Sequence, residues 1–217
     1  MTNQTASIAG RYDVVEVLGQ GGSATAYHVV ERGTQRHLAL KRLDNYHRAD
    51  ATLAELFERE YHTLNQLAHP RVVRAFDYGF DSGGEAFYTM ELLDGGDLRS
   101  QAPLPWQTVC TIGYEICSAL SLLHSRRLVH RDLTPRNVRL TSDNKAKLID
   151  FGLLSPFGVS NLLAGTPSHV APEVLNSMSL DGRSDLFSLG ATLATFRPAR
   201  PATRPSLSSA RAKVAST

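Results

Sequence analysis

The chain presents an acid, Asp132, and an amide five residues later, Asn137, inside Leu128-Val129-His130-Arg131-Asp132-Leu133-Thr134-Pro135-Arg136-Asn137-Val138. Leu148-Ile149-Asp150-Phe151-Gly152 follows. Asp132 could accept a proton from a hydroxyl nucleophile. Asn137 and Asp150 could offer oxygens to a hard divalent cation such as Mg²⁺. Upstream, Leu18-Gly19-Gln20-Gly21-Gly22-Ser23-Ala24 places small residues where backbone N–H groups could approach a phosphate. Alone, such a turn is more often a glycine-rich hairpin with no ligand. Lys41 sits in an apolar run, and Glu60 sits on an apolar-periodic stretch. A carboxylate on such a face needs a partner, because burying an isolated charge is costly. The two could hold a polyphosphate together, form a structural salt bridge, or be unrelated surface charges.

The elements that must position these residues can be read from periodicity. Tyr12 to Leu18, Ala26 to Val30 and Leu38 to Leu43 read as strands, the first two forming an antiparallel hairpin across the glycine turn. Leu53, Leu56, Phe57, Glu60, Leu64 and Leu67 recur at helical spacing, predicting a helix over 51–67 that ends before His69-Pro70. Val72 to Tyr78 and Ala86 to Leu92 read as two further strands. Asp94-Gly95-Gly96-Asp97 marks a boundary. Beyond it, Val109, Ile112, Ile116, Leu120 and Leu123 predict a helix over 106–124. Short strands are expected at 128–129, 138–140 and 147–149, and Leu186 to Leu193 reads as the start of a buried helix. After Phe196 the Ala/Pro/Ser/Arg composition reads as disordered.

Composition is that of a soluble globular protein, with 42% hydrophobic and 20% charged residues. No apolar stretch is long enough to span a membrane, and the N-terminus lacks a secretory pattern, so a cytoplasmic location is expected. The net charge is +2, yet five basic residues lie after Phe196 and no acidic residue follows Asp185. Without those five, 18 basic residues face 21 acidic ones, a net −3. The basic balance therefore does not argue for a nucleic-acid surface. Cys110 and Cys117 share a helix face about 10 Å apart, too far for a disulfide, and read as buried thiols.

In order and spacing, the motifs resemble the protein kinase family, from about Tyr12 to Gly190. The match takes in Gly19 and Gly21, Lys41, Glu60, His130-Arg131-Asp132 with Asn137, and Asp150-Phe151-Gly152. It closes with Gly165-Thr166-Pro167 and Ala171-Pro172-Glu173. The resemblance implies an α+β, bilobal protein-kinase-like fold with a β-rich N-lobe, one main helix and a mainly helical, incomplete C-lobe. The expected divisions are a tail over 1–11, the N-lobe over 12–93, a partial C-lobe over 94–196 and a second tail over 197–217. It also implies an ATP-dependent serine/threonine kinase of the bacterial kind, using ATP and Mg²⁺ on a protein substrate. Regulatory modules in a longer parent protein are a further expectation.

The implied site follows residue by residue. Leu18, Gly19, Gln20, Gly21, Gly22, Ser23, Ala24 and Ala26 would cover the nucleotide. Lys41, oriented by Glu60, would grip the α- and β-phosphates. Glu91 and Leu93 would meet the adenine through backbone groups, with Met90 behind them, and Asp97 would reach the ribose. Asp132 would deprotonate the substrate hydroxyl, Asn137 and Asp150 would hold Mg²⁺, and Asp185 would brace the catalytic loop from below.

The pattern departs from the family at several places. Ala24 replaces the third loop glycine, a small-for-small change that leaves the loop able to close. Thr134 stands where serine/threonine kinases carry a lysine, and Arg136 stands where tyrosine kinases carry an arginine. The segment from Gly165 to Glu173 favours the serine/threonine type, with Thr166 near Asp132. The usual phosphate-acceptor position in the activation loop is Leu162, leaving Ser155 and Ser160 as alternatives. The family's later C-lobe helices, which supply an arginine for Glu173, have no counterpart. Glu173 and the apolar face near Leu186 are therefore expected to be exposed, with low stability and little activity. An inactive nucleotide-binding or scaffold fragment is the alternative reading. If Arg136 supplies the missing positive charge at the γ-phosphate, Arg136→Ala will cut kcat sharply in a phosphoryl-transfer assay and Thr134→Ala will not; the reverse ranking rejects that role.

Overall fold

The computed structural model describes residues 6–44, 51–96, 98–159, 165–175 and 179–196. The expected tail over 197–217 lies outside the described residues, as do Asp97, Ser160 and Leu162, whereas residues 6–11 of the expected first tail are described and include a short strand at Ser7–Ile8 paired with Tyr12 and Asp13.

The first half forms an antiparallel sheet of six strands: β1 (Ser7–Ile8), β2 (Tyr12–Gln20), β3 (Ala24–Glu31), β4 (His37–Leu43), β5 (Ala75–Phe80) and β6 (Ala86–Glu91). Their spatial order is β1-β2-β3-β4-β6-β5. The hairpin expected across the glycine turn is present, with Gly19 opposite Ala26 and Gln20 opposite Thr25. Strand β5 begins three residues later than the sequence suggests, because Val72 and Val73 serve another partner. Val72 bridges Leu148 in parallel, and the Val73 N–H donates to the Leu148 carbonyl at 2.9 Å. That ties the sheet to the second half of the molecule.

Helix α1 (Ala51–Gln66) packs on the sheet through Phe57, Glu60 and Leu64, one face at spacings of three and four. In the second half, α2 (Trp106–Ser125) is followed by β7 (Leu128–Val129), β8 (Val138–Leu140), β9 (Ala146–Leu148), β10 (Ser155–Pro156), β11 (Gly158–Val159), α3 (Pro172–Leu175), β12 (Ser179–Leu180) and α4 (Gly182–Thr195). The fold is thus α+β, a β-rich lobe with one main helix set on a helical lobe.

The main core runs through both lobes. It joins Leu43, Phe57 and Tyr88 above to Ile112, Ile116, Leu120 and Phe151 below. A smaller cluster of Tyr12, Val29, Leu38, Leu40 and Phe87 fills the outer sheet. The connection between lobes needs its glycines. A Cβ on Gly95 would lie 2.5 Å from the Thr141 carbonyl oxygen, and Gly95 N–H donates to the Leu140 carbonyl at 3.1 Å.

Two expectations need correction. Cys110 and Cys117 are exposed. They do share a face, but Ile112, Ile116, Ala119, Leu120 and Leu123 occupy the core face of α2, on the opposite side. Helix α4 does not bury an apolar stripe. It buries Ser184, Asp185, Ser188, Leu189 and Thr192, leaving Leu186 and Phe187 about half exposed, as the sequence reading anticipated near Leu186.

These two faces of α2 give a direct comparison. Ile116→Ala is expected to lower unfolding free energy by about 2–5 kcal/mol through the cavity it leaves. Cys117→Ser should stay within about 0.5 kcal/mol of the parent in the same urea titration.

Candidate active site

Four elements bring the polar residues to one cleft. Strand β4 carries Lys41, whose Nζ donates to both Glu60 oxygens on α1, at 2.8 and 2.9 Å. The same Nζ reaches Asp150 Oδ1 at 3.2 Å, just after β9. The Glu60 side chain is only 3% exposed, so the pair is shielded from water. Glu60 also accepts from the Phe151 N–H at 3.1 Å, fixing the residue after Asp150. Burial alone would discharge Lys41. The Glu60 and Asp150 carboxylates outweigh it and hold the lysine well above its ordinary pKa. Crowding by protein pushes the Asp150 carboxyl up, but Lys41 more than offsets this and brings it down to about 2. By surface area, 45% of the Asp150 side chain is open to solvent, so this carboxylate is enclosed on one side and free on the other.

Below the cleft, Asp132 is held from two directions. Asn137 Nδ2 donates to Asp132 Oδ2 at 2.8 Å, and Thr166 Oγ1 and N–H donate to Oδ1 at 2.8 and 3.0 Å. Thr166 stands beside Asp132, as its sequence position suggested. Gly165 makes this approach possible: its φ is +121°, and a Cβ there would sit 2.9 Å from the Arg131 carbonyl oxygen.

The loop itself hangs on Asp185, a carboxylate with no exposed surface. It accepts the His130 and Arg131 N–H groups at 2.9 and 3.0 Å and pairs with His124 Nε2 at 2.9 Å. Arg131 and Asp150 both adopt positive φ, 72° and 63°, a backbone state that costs a non-glycine residue energy. The fixed hydrogen bonds on either side impose it.

Two adjoining cavities lie between the lobes. One, about 260 Å³, is lined by Gly21, Gly22, Ser23, Ala24, Lys41, Glu60 and Asp150. The other, about 110 Å³ and mostly apolar, is lined by Leu18, Gly19, Ala26, Ala39, Met90, Glu91, Leu93 and Ile149. Gln20 lines neither, because it ends β2 as an exposed strand residue. The Glu91 carboxylate is engaged elsewhere, taking Lys147 Nζ at 2.6 Å and the Arg74 N–H at 2.8 Å. The Glu91 N–H is also engaged, donating to the Arg74 carbonyl at 2.9 Å. Asp150 and Asn137 are hard oxygen donors of the kind Mg²⁺ accepts. Asp150 Oδ1 is used by Lys41, and the carboxylate is open on its other side, so Asp150 and Asn137 would be the residues to hold such a cation. Arg136 is exposed and lines a separate groove with Thr134 and Thr166.

Sequence reasoning missed Ser184, Ser188, Thr192 and His124. Ser188 Oγ donates to the His169 carbonyl at 2.7 Å, and Thr192 Oγ1 to the Leu133 carbonyl at 2.9 Å. Ser184 Oγ donates to Glu173 Oε1 at 2.9 Å. Glu173 is therefore half-buried and partnered, against the expectation of an exposed, arginine-deprived carboxylate. The spacing 184, 188, 192 is the signal that could have revealed a polar buried face. Ser155 sits in β10, opposite Val129, and is half-buried.

A lysine–glutamate pair over a glycine turn, set against a catalytic-type Asp–Asn loop, defines the protein kinase class. Residues 12–212 match the protein kinase domain family, and the chain belongs to it. It is 37% identical over 198 residues to the DNA damage-responsive serine/threonine-protein kinase RqkA of Deinococcus radiodurans, a match covering 86% of this chain and 29% of that protein. It is 34% identical over 210 residues to the probable serine/threonine-protein kinase SCO3848 of Streptomyces coelicolor, covering 89% and 31%. With the serine/threonine-protein kinase PknK of Mycobacterium tuberculosis the identity is 34% over 191 residues, covering 84% and 17%. The chain thus spans less than a third of the length of these relatives. Among the described residues, no helix is long and apolar enough to cross a membrane.

The depressed Asp150 pKa gives a pH test. A carboxyl at about 2 when folded and about 3.9 when unfolded stabilises the protein above pH ~4, and loses that contribution as pH falls toward 2. Stability of the parent should therefore fall more steeply between pH 4 and 2 than that of Asp150→Asn, read by urea unfolding at each pH.

Proposed function

We propose that this domain transfers the γ-phosphate of ATP to a serine or threonine hydroxyl of a protein, as part of a longer cytoplasmic signalling protein. The observation that carries the reading is the convergence of Lys41, Glu60 and Asp150 on one cavity wall with Asp132 and Asn137 held beneath it. ATP bound with Mg²⁺ supplies the transferable phosphoryl group and the neutralising cation. Leu18, Ala26, Met90 and Leu93 form the apolar slot suited to a purine, with backbone groups of Glu91 and Leu93 at its rim. Gly19 to Ala24 bring backbone over the phosphates, and the Lys41 ammonium binds them. Glu60 keeps that ammonium charged and aimed. Asp150 and Asn137 are the oxygen donors for the metal. Asp97, the proposed ribose partner, lies outside the described residues.

Asp132 receives the proton of the attacking hydroxyl. Asn137 and Thr166 fix its two oxygens, so the base is aligned before substrate arrives. Asp185 is a positioning residue, acting through the backbone of His130 and Arg131. Phosphoryl transfer demands little covalent chemistry of the protein, so positioning and charge stabilisation are its main contributions.

The test is transfer from γ-labelled ATP to a mixed protein substrate. Asp132→Asn should lower kcat by about 10²–10⁴-fold, the span general-base removal produces. A folded chain that binds ATP but transfers nothing would favour a non-catalytic binding module.

A further inference from the structure

Beside Asp132 lies a groove of about 480 Å³, apart from the two nucleotide-side cavities. Its wall includes Arg99, Thr134, Arg136, Thr166, His169 and Phe196. Thr166 links it to the chemistry, because the same residue donates to the Asp132 carboxylate at 2.8 Å. A chain lying in this groove would pass the base directly.

The charge of the groove is one-sided. Among the described residues it is lined by two guanidiniums and no carboxylate. Three cations close to the cleft are paired: Lys41 with Glu60, Lys147 with Glu91, Arg71 with Glu115. Arg99 and Arg136 are exposed, and neither guanidinium has an ion-pair or hydrogen-bond partner among the described residues. The same wall carries His169 Nε2, shielded from solvent and without a hydrogen-bond partner among the described residues. Two free forks in a concavity match carboxylate geometry, and arginine pairs with carboxylates through two parallel bonds. The same pair repels a basic segment, so the groove both attracts and rejects.

We infer that Arg99 and Arg136 read an acidic residue of the protein substrate near the acceptor hydroxyl, so that the domain selects serine or threonine within Glu/Asp-rich segments. This rests on the transfer reading above. It goes further in naming the chemistry of the substrate, and it gives Arg99 a role that no motif suggests.

The test is binding to the full chain, measured by fluorescence anisotropy with labelled ten-residue peptides whose acceptor serine is replaced by alanine. One peptide carries flanking glutamates and the other flanking lysines. The glutamate peptide should bind about tenfold more tightly, the discrimination expected of hydrogen bonds to charged groups. Arg99→Glu and Arg136→Glu should each reverse the preference toward lysine, an exchange that a merely structural role would not produce. Both side chains are exposed, and circular dichroism melts will show that the variants stay folded. Equal binding of the two peptides by the parent overturns the inference, as does an unchanged preference in both variants. A fluorescent ATP analogue in the same samples tells the two failures apart. Nucleotide binding without acidic preference sinks this inference alone, whereas loss of Lys41-dependent nucleotide binding sinks the transfer reading beneath it.

Discussion

The buried carboxylate of Glu60 is the constraint around which the upper cleft is arranged. A charge enclosed by protein must be met by an opposite charge and by hydrogen bonds, or it destabilises the fold. Lys41 meets it from the neighbouring strand and the Phe151 N–H from the other lobe. Satisfying one group therefore sets helix α1 against the sheet and brings the Asp150 segment up beneath both. Asp150 then shares the Lys41 ammonium, and its own carboxyl is kept ionised by that contact. The arrangement that keeps the fold intact also leaves a cation and a carboxylate facing one cavity.

A second buried carboxylate does the same work below. Asp185 has no exposed surface and is satisfied by two backbone N–H groups and His124. Those bonds hold the His130-Arg131 backbone in a conformation it would not adopt freely, and Asp132 inherits its position from them. Ser188 and Thr192 extend the same helix face to the His169 and Leu133 carbonyls. Helix α4 is thus a polar strut for the catalytic loop. That explains why its buried side is Ser, Asp and Thr while Leu186 and Phe187 face outward.

Much of this was legible in advance, for identifiable reasons. Helices α1 and α2 announce themselves because one face of each meets a continuous apolar core, so periodicity and burial agree. Lys41 and Glu60 stood out as charges embedded in apolar patterns, a conflict that only a partner resolves. Periodicity failed where burial is polar. In α4 the hidden side chains are mostly polar, Ser184, Asp185, Ser188 and Thr192 beside Leu189, and their partners lie elsewhere in the chain, which leaves little hydrophobic signature. Cys110 and Cys117 read as buried thiols in the sequence, yet the phase set by Ile112, Ile116 and Leu120 turns them to solvent. Glu173 looked bereft of an arginine, but the hydroxyl of Ser184, a turn into α4, accepts the role of partner.

The sequence by itself determined the membership of the catalytic set, because an acid, an amide, a lysine and a glycine turn in fixed order carry their chemistry in their residue types. It also determined the alternation and periodicity that build a sheet, two long helices and the core between them. Only the tertiary structure decided which charges are paired and which are free. Lys147, Arg71 and Lys41 are neutralised by contacts across 56, 44 and 19 positions of chain, whereas Arg99 and Arg136 line one groove in which no described residue is an acid. Pairing depends on distance in space and on exclusion of water, and neither quantity is written in the order of residues.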